Sequence, residues 1–321
     1  MPVWMLGARD REMAEIEAVL EGVGEEVLLA AKWLSRWDRL VRVNAREAYG
    51  FSLVGDVSLR EVKWEEVKRR AVRAGGLVLV ECEPPWWAEL EDELAREGVK
   101  LLRADHHREG DPGWDVEPSR YWEGSSLGQV VEMLRGWGKL SGEVRSEWRL
   151  VAAADHCLGA AYRGECPGVD VVRLRKFRLE ERARFLMAQP ERAPARRAVE
   201  RYLPHGERGL PGWRRAVQRA LDEAGGQIAA APRVTLGGWP VADIREEGII
   251  AEAPEASARM GLPILYRSFL RGAGAGAGGV GLLNARRETV EAWISGEGVA
   301  GEYRERKGNP GRGMAWGKEQ G

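Results

Sequence analysis

Apolar positions recur along this chain with two periods, and the changes between them mark its elements. Val3 to Leu6 is a short apolar run, expected as a first strand and broken by Gly7 and Ala8. Met13, Ile16, Val19 and Leu20 then fall on one face of an amphipathic helix, with Asp10 placed as its N-cap. Glu26 to Val43 alternates apolar and charged residues and holds a strand and a helix whose register the pattern does not assign. Leu59 to Ala74 reads as a helix with Leu59, Val62, Val67 and Ala71 inward, ended by Gly75-Gly76. Leu77 to Val80 is continuously apolar, as a strand buried on both faces requires. Trp87 to Glu97 is helical in pattern, Gly98 closes it, and Val99 to Ala104 is the next strand. Strand, helix and strand make a βαβ unit whose strands run parallel through a right-handed crossover. That geometry carries Glu81 and Asp105, each just past a strand, to the same sheet edge.

Further along, Ser125 or Ser126 caps a helix running to about Gly136, with Val130, Val131 and Leu134 inward. Glu147 to Ala154 is another helix, and Tyr162 to Asp170 a loop. From Val171 to about Asp222 the pattern is helical and strongly charged, cut by Pro190, Pro194, Pro204 and Pro211. After Gly225-Gly226 come short strand-like runs, Val234 to Leu236, Ile249 to Ala251 and Pro263 to Tyr266, then a short helix over Thr289 to Ile294. Gly272 to Gly279 is low in complexity and expected as a flexible turn. The expected fold is α/β: a parallel sheet flanked by helices in residues 1–170, a helical linker over 171–225, and a smaller α+β domain over 226–321.

Composition narrows the function classes. With 321 residues, 44% of them apolar, the chain has material for about two domains. A net charge of -1 gives no basic field for a long duplex. The basic clusters Arg173 to Arg184 and Arg192 to Arg201 are mixed with glutamates and read as solvated helix faces. No apolar run approaches the ~18 residues of a membrane span, and the N-terminus lacks the pattern of a signal peptide. Three cysteines without framework spacing point to a reducing cytoplasm, with Cys157 and Cys166 as buried inert thiols. The fourteen tryptophans are dispersed, as packing residues are.

Candidate chemistry sits on the histidines. There are four, and three lie in Asp-His steps: Asp105-His106-His107 and Asp155-His156. Carboxylate oxygen and imidazole nitrogen together suit a borderline-to-hard divalent ion such as Mn, Fe or Zn. Asp10, where the first strand hands over to a helix, is a cap, a ligand or both. Near the C-terminus, Gly311-Arg312-Gly313 offers close backbone approach and a guanidinium fork for phosphate; the alternative is a floppy tail.

These residues resemble the DHH phosphoesterase superfamily. The likeness covers residues 77 to 156: an acidic residue after one strand of the βαβ unit (Glu81), Asp-His-His after the next, a serine-rich helix start (Ser125, Ser126), and an Asp ending an alanine-rich helix (Asp155). The resemblance implies one or two Mn ions, or another divalent metal, held by Asp105, Asp155 and one of His106 and His107, with the other histidine facing the scissile phosphate. It implies hydrolysis of phosphodiester bonds in short single-stranded oligonucleotides, cyclic dinucleotides or small nucleotides, with Ser125, Ser126, Gly311, Arg312 and Gly313 on the substrate. Two departures stand out. The first motif, Ala8-Arg9-Asp10-Arg11-Glu12, offers Asp10 with help from Glu12 where the family carries several aspartates, and Glu81 stands where the family carries Asp. His156 is a compensating ligand on this reading. A member with an impaired centre, kept as a nucleotide-binding or protein-interaction module, is the competing expectation, and a metal-dependent amide hydrolase is a third.

Overall fold

The computed structural model describes residues 2–7, 10–29, 31–33, 42–44, 57–82, 87–189, 191, 193–247, 250–268 and 279–319. The expected flexible turn lies, but for Gly279, outside the described residues, as do Glu83, Ile249 and parts of the 26–43 segment. The chain forms two compact units: residues 1–114 with 122–152, and residues 115–121 with 153–321.

In the first unit, β1 (Val3–Leu6), β2 (Val27–Leu29), β5 (Gly76–Val80) and β6 (Lys100–Ala104) form a parallel sheet in the order β2-β1-β5-β6. Two short strands between them, β3 (Ala31–Trp33) and β4 (Arg42–Asn44), pair with each other. Against the sheet lie α1 (Arg11–Gly22), α2 (Val57–Ala74), α3 (Trp87–Arg96) and α5 (Ser126–Gly136), and the unit also holds most of α6 (Ser146–His156) and of the single turn α4 (Tyr121–Gly124) before α5. Every residue of β1 and β5 is buried, as their unbroken apolar sequence requires. By strand alternation Val3, Met5, Leu77 and Leu79 share one face, where Val67 and Ala71 of α2 and Leu90 and Leu94 of α3 meet them. The expected βαβ unit is present, with Val80 opposite Ala104 in register.

The second unit holds α7 (Leu158–Tyr162), α8 (Val171–Ala188), α9 (Pro194–Glu200), α10 (Leu210–Ala230), α11 (Ala253–Met260) and α12 (Arg287–Ser295). Its mixed sheet comprises β7 (Arg233–Leu236), β8 (Trp239–Asp243), β9 (Ile264–Ser268), β10 (Gly279–Leu283), β11 (Tyr303–Asn309) and β12 (Met314–Glu319), in the order β11-β12-β10-β9-β8-β7. Among the described residues β8 and β9 run parallel and the other neighbours in this sheet antiparallel. Alternation again splits the faces: Ala242 and Ile264 pack with Trp213, Val217 and Leu221 of α10, while Val241 and Leu265 pack with Val290 and Trp293 of α12.

Two expectations do not hold. Residues 171–225 are not a linker: α8 and α10 supply the apolar layer over one face of this sheet. Ile250 and Ala251 lead into α11 and form no strand. Of the two readings left open for the C-terminal segment, the described residues to 319 take the ordered one: β11 and β12 make a hairpin whose turn is Pro310 to Gly313, pinned where the Trp293 indole donates to the Trp316 carbonyl at 3.1 Å. Among the described residues no helix is long and apolar enough to cross a membrane.

A buried carboxylate ties α7, α8 and α11 together. Glu255 accepts from the Tyr162 hydroxyl, from Arg178 Nε at 3.0 Å and from Arg259 Nε at 3.1 Å. Burial pushes its pKa up, but Arg178, then Tyr162 and Arg259, outweigh burial and hold it below the ordinary carboxylate range. A depressed folded-state pKa contributes stability above the unfolded value, and that contribution is lost as pH falls through the folded value. The melting temperature should therefore drop as pH is lowered from about 5 toward 3. Glu255→Gln should flatten that slope and cost about 1–2 kcal/mol at neutral pH, because two partly buried guanidinium groups lose a shared carboxylate while Arg178 keeps Glu181. Thermal melts of both proteins across this range measure the difference.

Candidate metal centre

The acidic edge foreseen from the βαβ unit is where the side chains gather. Glu81 follows β5 and is tied to the next strand by its N–H on the Ala104 carbonyl at 3.1 Å. Its φ is 51°, left-handed and costly for a residue with a Cβ, by roughly 1 kcal/mol or more. Gly7 makes that turn possible: a Cβ there would stand 2.4 Å from the Glu81 carbonyl oxygen. The Glu81 carboxylate accepts from Ser126 Oγ at 2.7 Å and lies 3.5 Å from His106 Nε2. Backbone strain of this kind persists where the surroundings over-determine it, commonly at functional positions.

Asp105, His106 and His107 leave β6 together. The Asp105 carboxylate turns back on its own loop: Oδ1 accepts from the N–H groups of His106 at 2.7 Å and His107 at 3.0 Å, and meets His107 Nδ1 at 2.8 Å. Burial works against its charge, but the hydrogen bond and charge of His107 prevail and hold its pKa below the usual range. As a carboxylate it fixes the proton of His107 on Nδ1. His106 is fully buried, whereas the His107 side chain is about half exposed, at 47%. The loop is clamped by Gln129, whose Oε1 accepts from the Asp105 N–H at 3.1 Å while its Nε2 donates to the carbonyls of Asp105 and Gly124 at 3.2 and 3.0 Å. Gly113 closes against it, since a Cβ there would meet the Gly124 oxygen at 2.0 Å and His106 Cβ at 2.7 Å.

The third element of the site is α1. Asp10 is the N-cap of α1, its Oδ1 accepting from the Met13 N–H at 2.9 Å. Glu12, one residue into the helix, is buried and accepts the Leu127 N–H at 3.0 Å. Ligand atoms of Glu12, Glu81 and His106 all lie within 4.8 Å of one another, and so do those of Glu81, His106 and His107. Neither grouping includes Asp10 or Asp105. The donor set fits a divalent cation: two carboxylates drawn together out of water repel, and a cation between them and an imidazole relieves that repulsion. Ser126 and the Leu127 N–H are each bonded to one carboxylate, contacts of the kind that would orient metal ligands.

The other expected residues have clear places. Ser125 is the N-cap of α5, its Oγ accepting from the Gly128 N–H at 3.0 Å, so its first role is structural. In the second unit, Asp155 and His156 end α6. The Asp155 carbonyl accepts from Arg312 Nη2 at 3.1 Å, with the carboxylate 3.8 Å from the same nitrogen. His156 Nε2 donates to the Val116 carbonyl at 3.0 Å. The Gly311 N–H donates to Asp115 Oδ1 at 2.9 Å. Gly311, Arg312 and Gly313 line a cavity of about 170 Å³ with Arg163, Arg286 and Arg287, beside the start of α12. The same wall carries Glu117, Glu165 and Glu288, and each arginine already faces a carboxylate: Arg163 and Arg286 face Glu165, Arg287 faces Asp115 and Glu117, and Arg312 faces Asp155, so the cavity is mixed in charge.

Sequence reasoning gave Glu12 a supporting part and missed Gln129 altogether. A signal for Glu12 existed: it stands four residues before Ile16 and eight before Leu20, inside the apolar stripe of α1, where a carboxylate is costly unless it has work to do. Comparison with protein-family models, with curated proteins and with solved structures gave no match.

Proposed function

We propose that this chain is a divalent-metal-dependent phosphoesterase of the DHH kind, hydrolysing phosphodiester bonds of small nucleotides or short single-stranded oligonucleotides. The observation that carries the proposal is the convergence of Glu12, Glu81 and His106, two carboxylates and an imidazole within 4.8 Å at the ends of parallel strands and the start of a helix. Glu12, Glu81 and His106 hold the ion, with Mn²⁺ the first candidate. When bound, such an ion lowers the pKa of a coordinated water and polarises a phosphoryl oxygen. Ser126 and the Leu127 N–H keep the two carboxylates aimed. His107, its Nδ1–H held by Asp105, presents Nε2; once protonated, it donates to charge developing on a phosphoryl oxygen. On this reading Arg312, in the wall of the mixed-charge cavity of the second unit, grips a terminal phosphate. The sequence expectation that Asp155 adds a ligand is tested alongside, by the metal content of Asp155→Asn.

Purified protein with Mn²⁺ should cleave at least one of three substrates: a short single-stranded oligonucleotide, a cyclic dinucleotide or a chromogenic phosphodiester. Chelation should stop turnover and added Mn²⁺ restore it. All three intact, with metal bound, would instead select the second reading. In that reading the chain is a nucleotide-binding or interaction module whose centre no longer turns over. It is favoured by one fact, that the first motif gives only Glu12 to the cluster while Asp10 caps a helix.

A further inference from the structure

Cys157 and Cys166 are both buried, at 1% and 3% exposure, and their sulfurs stand 3.2 Å apart as free thiols. Cys157 is the residue before α7, and Cys166 lies in the loop after it. The backbone already draws the two together: the Ala161 N–H returns to the Cys157 carbonyl at 2.9 Å, and the Glu165 N–H to Ala160 at 3.0 Å. The segment they bracket supplies Gly159, Ala160, Arg163 and Glu165 to the wall of the arginine-lined cavity. Arg163 is fixed there by Glu165, through contacts of 2.8 Å from both Nε and Nη2.

We propose that Cys157 and Cys166 are a disulfide-forming pair that staples this wall. The sulfurs need to approach by only about 1 Å to reach a bond of roughly 2.05 Å. With oxidised glutathione as oxidant, one cysteine thiolate attacks a glutathione sulfur and expels one glutathione thiolate; the second cysteine then attacks the mixed disulfide and expels the other. Two cysteine thiols and one glutathione disulfide become one protein disulfide and two glutathione thiols, with two electrons passing to glutathione. Burial means the exchange proceeds from opened states of the loop, so it is slow in the cold and faster on warming. The third cysteine, Cys82, belongs to the first unit, where its thiol donates to the Met5 carbonyl at 3.1 Å. The inference is independent of the proposed activity.

The test uses full-length Cys82→Ser protein, which leaves only these two thiols. It is incubated with oxidised glutathione a few degrees below its melting midpoint, then alkylated and weighed. The expected product is a monomer lighter by about 2 Da that takes up no alkylating agent and yields linked peptides containing Cys157 and Cys166. Its melting temperature should exceed that of the reduced form by about 5 °C, as closing a loop of about ten residues predicts, and Cys166→Ser on the same background should show no such gain. Two alkylated thiols, stable glutathione adducts or a disulfide-linked dimer after the same treatment would overturn the proposal.

Discussion

Replacing His106 by alanine is expected to lower Mn²⁺ affinity by at least about 100-fold, a larger loss than outer-shell changes usually cause. His106 is fully buried, and its Nε2 is 3.5 Å from Glu81. His107→Ala should behave differently. Its side chain is about half exposed and is held by Asp105, and its removal should leave affinity within about tenfold while cutting turnover by roughly 100-fold or more. Titration calorimetry and steady-state rates on the two variants, with melting curves to verify folding, separate the roles. Equal loss of affinity in both would mean that the two histidines are not divided between holding the ion and serving the substrate.

Gly7→Ala should damage both the fold and the site. The new Cβ would press on the Glu81 carbonyl oxygen from 2.4 Å, and that carbonyl belongs to a residue already at positive φ. Either β1 or the turn at Glu81 must shift, at a cost of about 1–3 kcal/mol, and the Glu81 carboxylate shifts with it. Both the melting temperature and Mn²⁺ affinity should fall. A variant that lost stability and kept wild-type affinity would show that the strained turn does not set the position of Glu81.

Much of the first unit could be read from the chain. The continuous run Leu77 to Val80, the glycines at Gly75 and Gly98 and the strand ending at Ala104 admit one local solution, and that solution carries Glu81 and Asp105 to one edge. Spacing could not say which oxygen turns where. Asp105 turns its Oδ1 onto its own loop, a local preference of aspartate that competes with ligation, and Glu12 reaches the cluster from a helix turn. Gln129 was invisible for another reason: its contacts with the Asp105 backbone span 24 residues and leave no periodic trace. The second unit was harder. Its strands are short or carry charges and glycines, as in Tyr303-Arg304-Glu305-Arg306-Lys307-Gly308, so their alternation is masked, and α8 has too little apolar stripe to announce a core-facing helix. The arginines of its cavity come from three separate stretches of chain, and only folding gathers them.

The central claim is that Glu12, Glu81 and His106 share one cation. Crystals grown with Mn²⁺ and measured at the manganese absorption edge test it most directly. The expected result is an anomalous peak about 2.0–2.4 Å from one carboxylate oxygen of Glu12, one of Glu81 and Nε2 of His106. A peak held elsewhere, with these three side chains bonded only to protein, would contradict it.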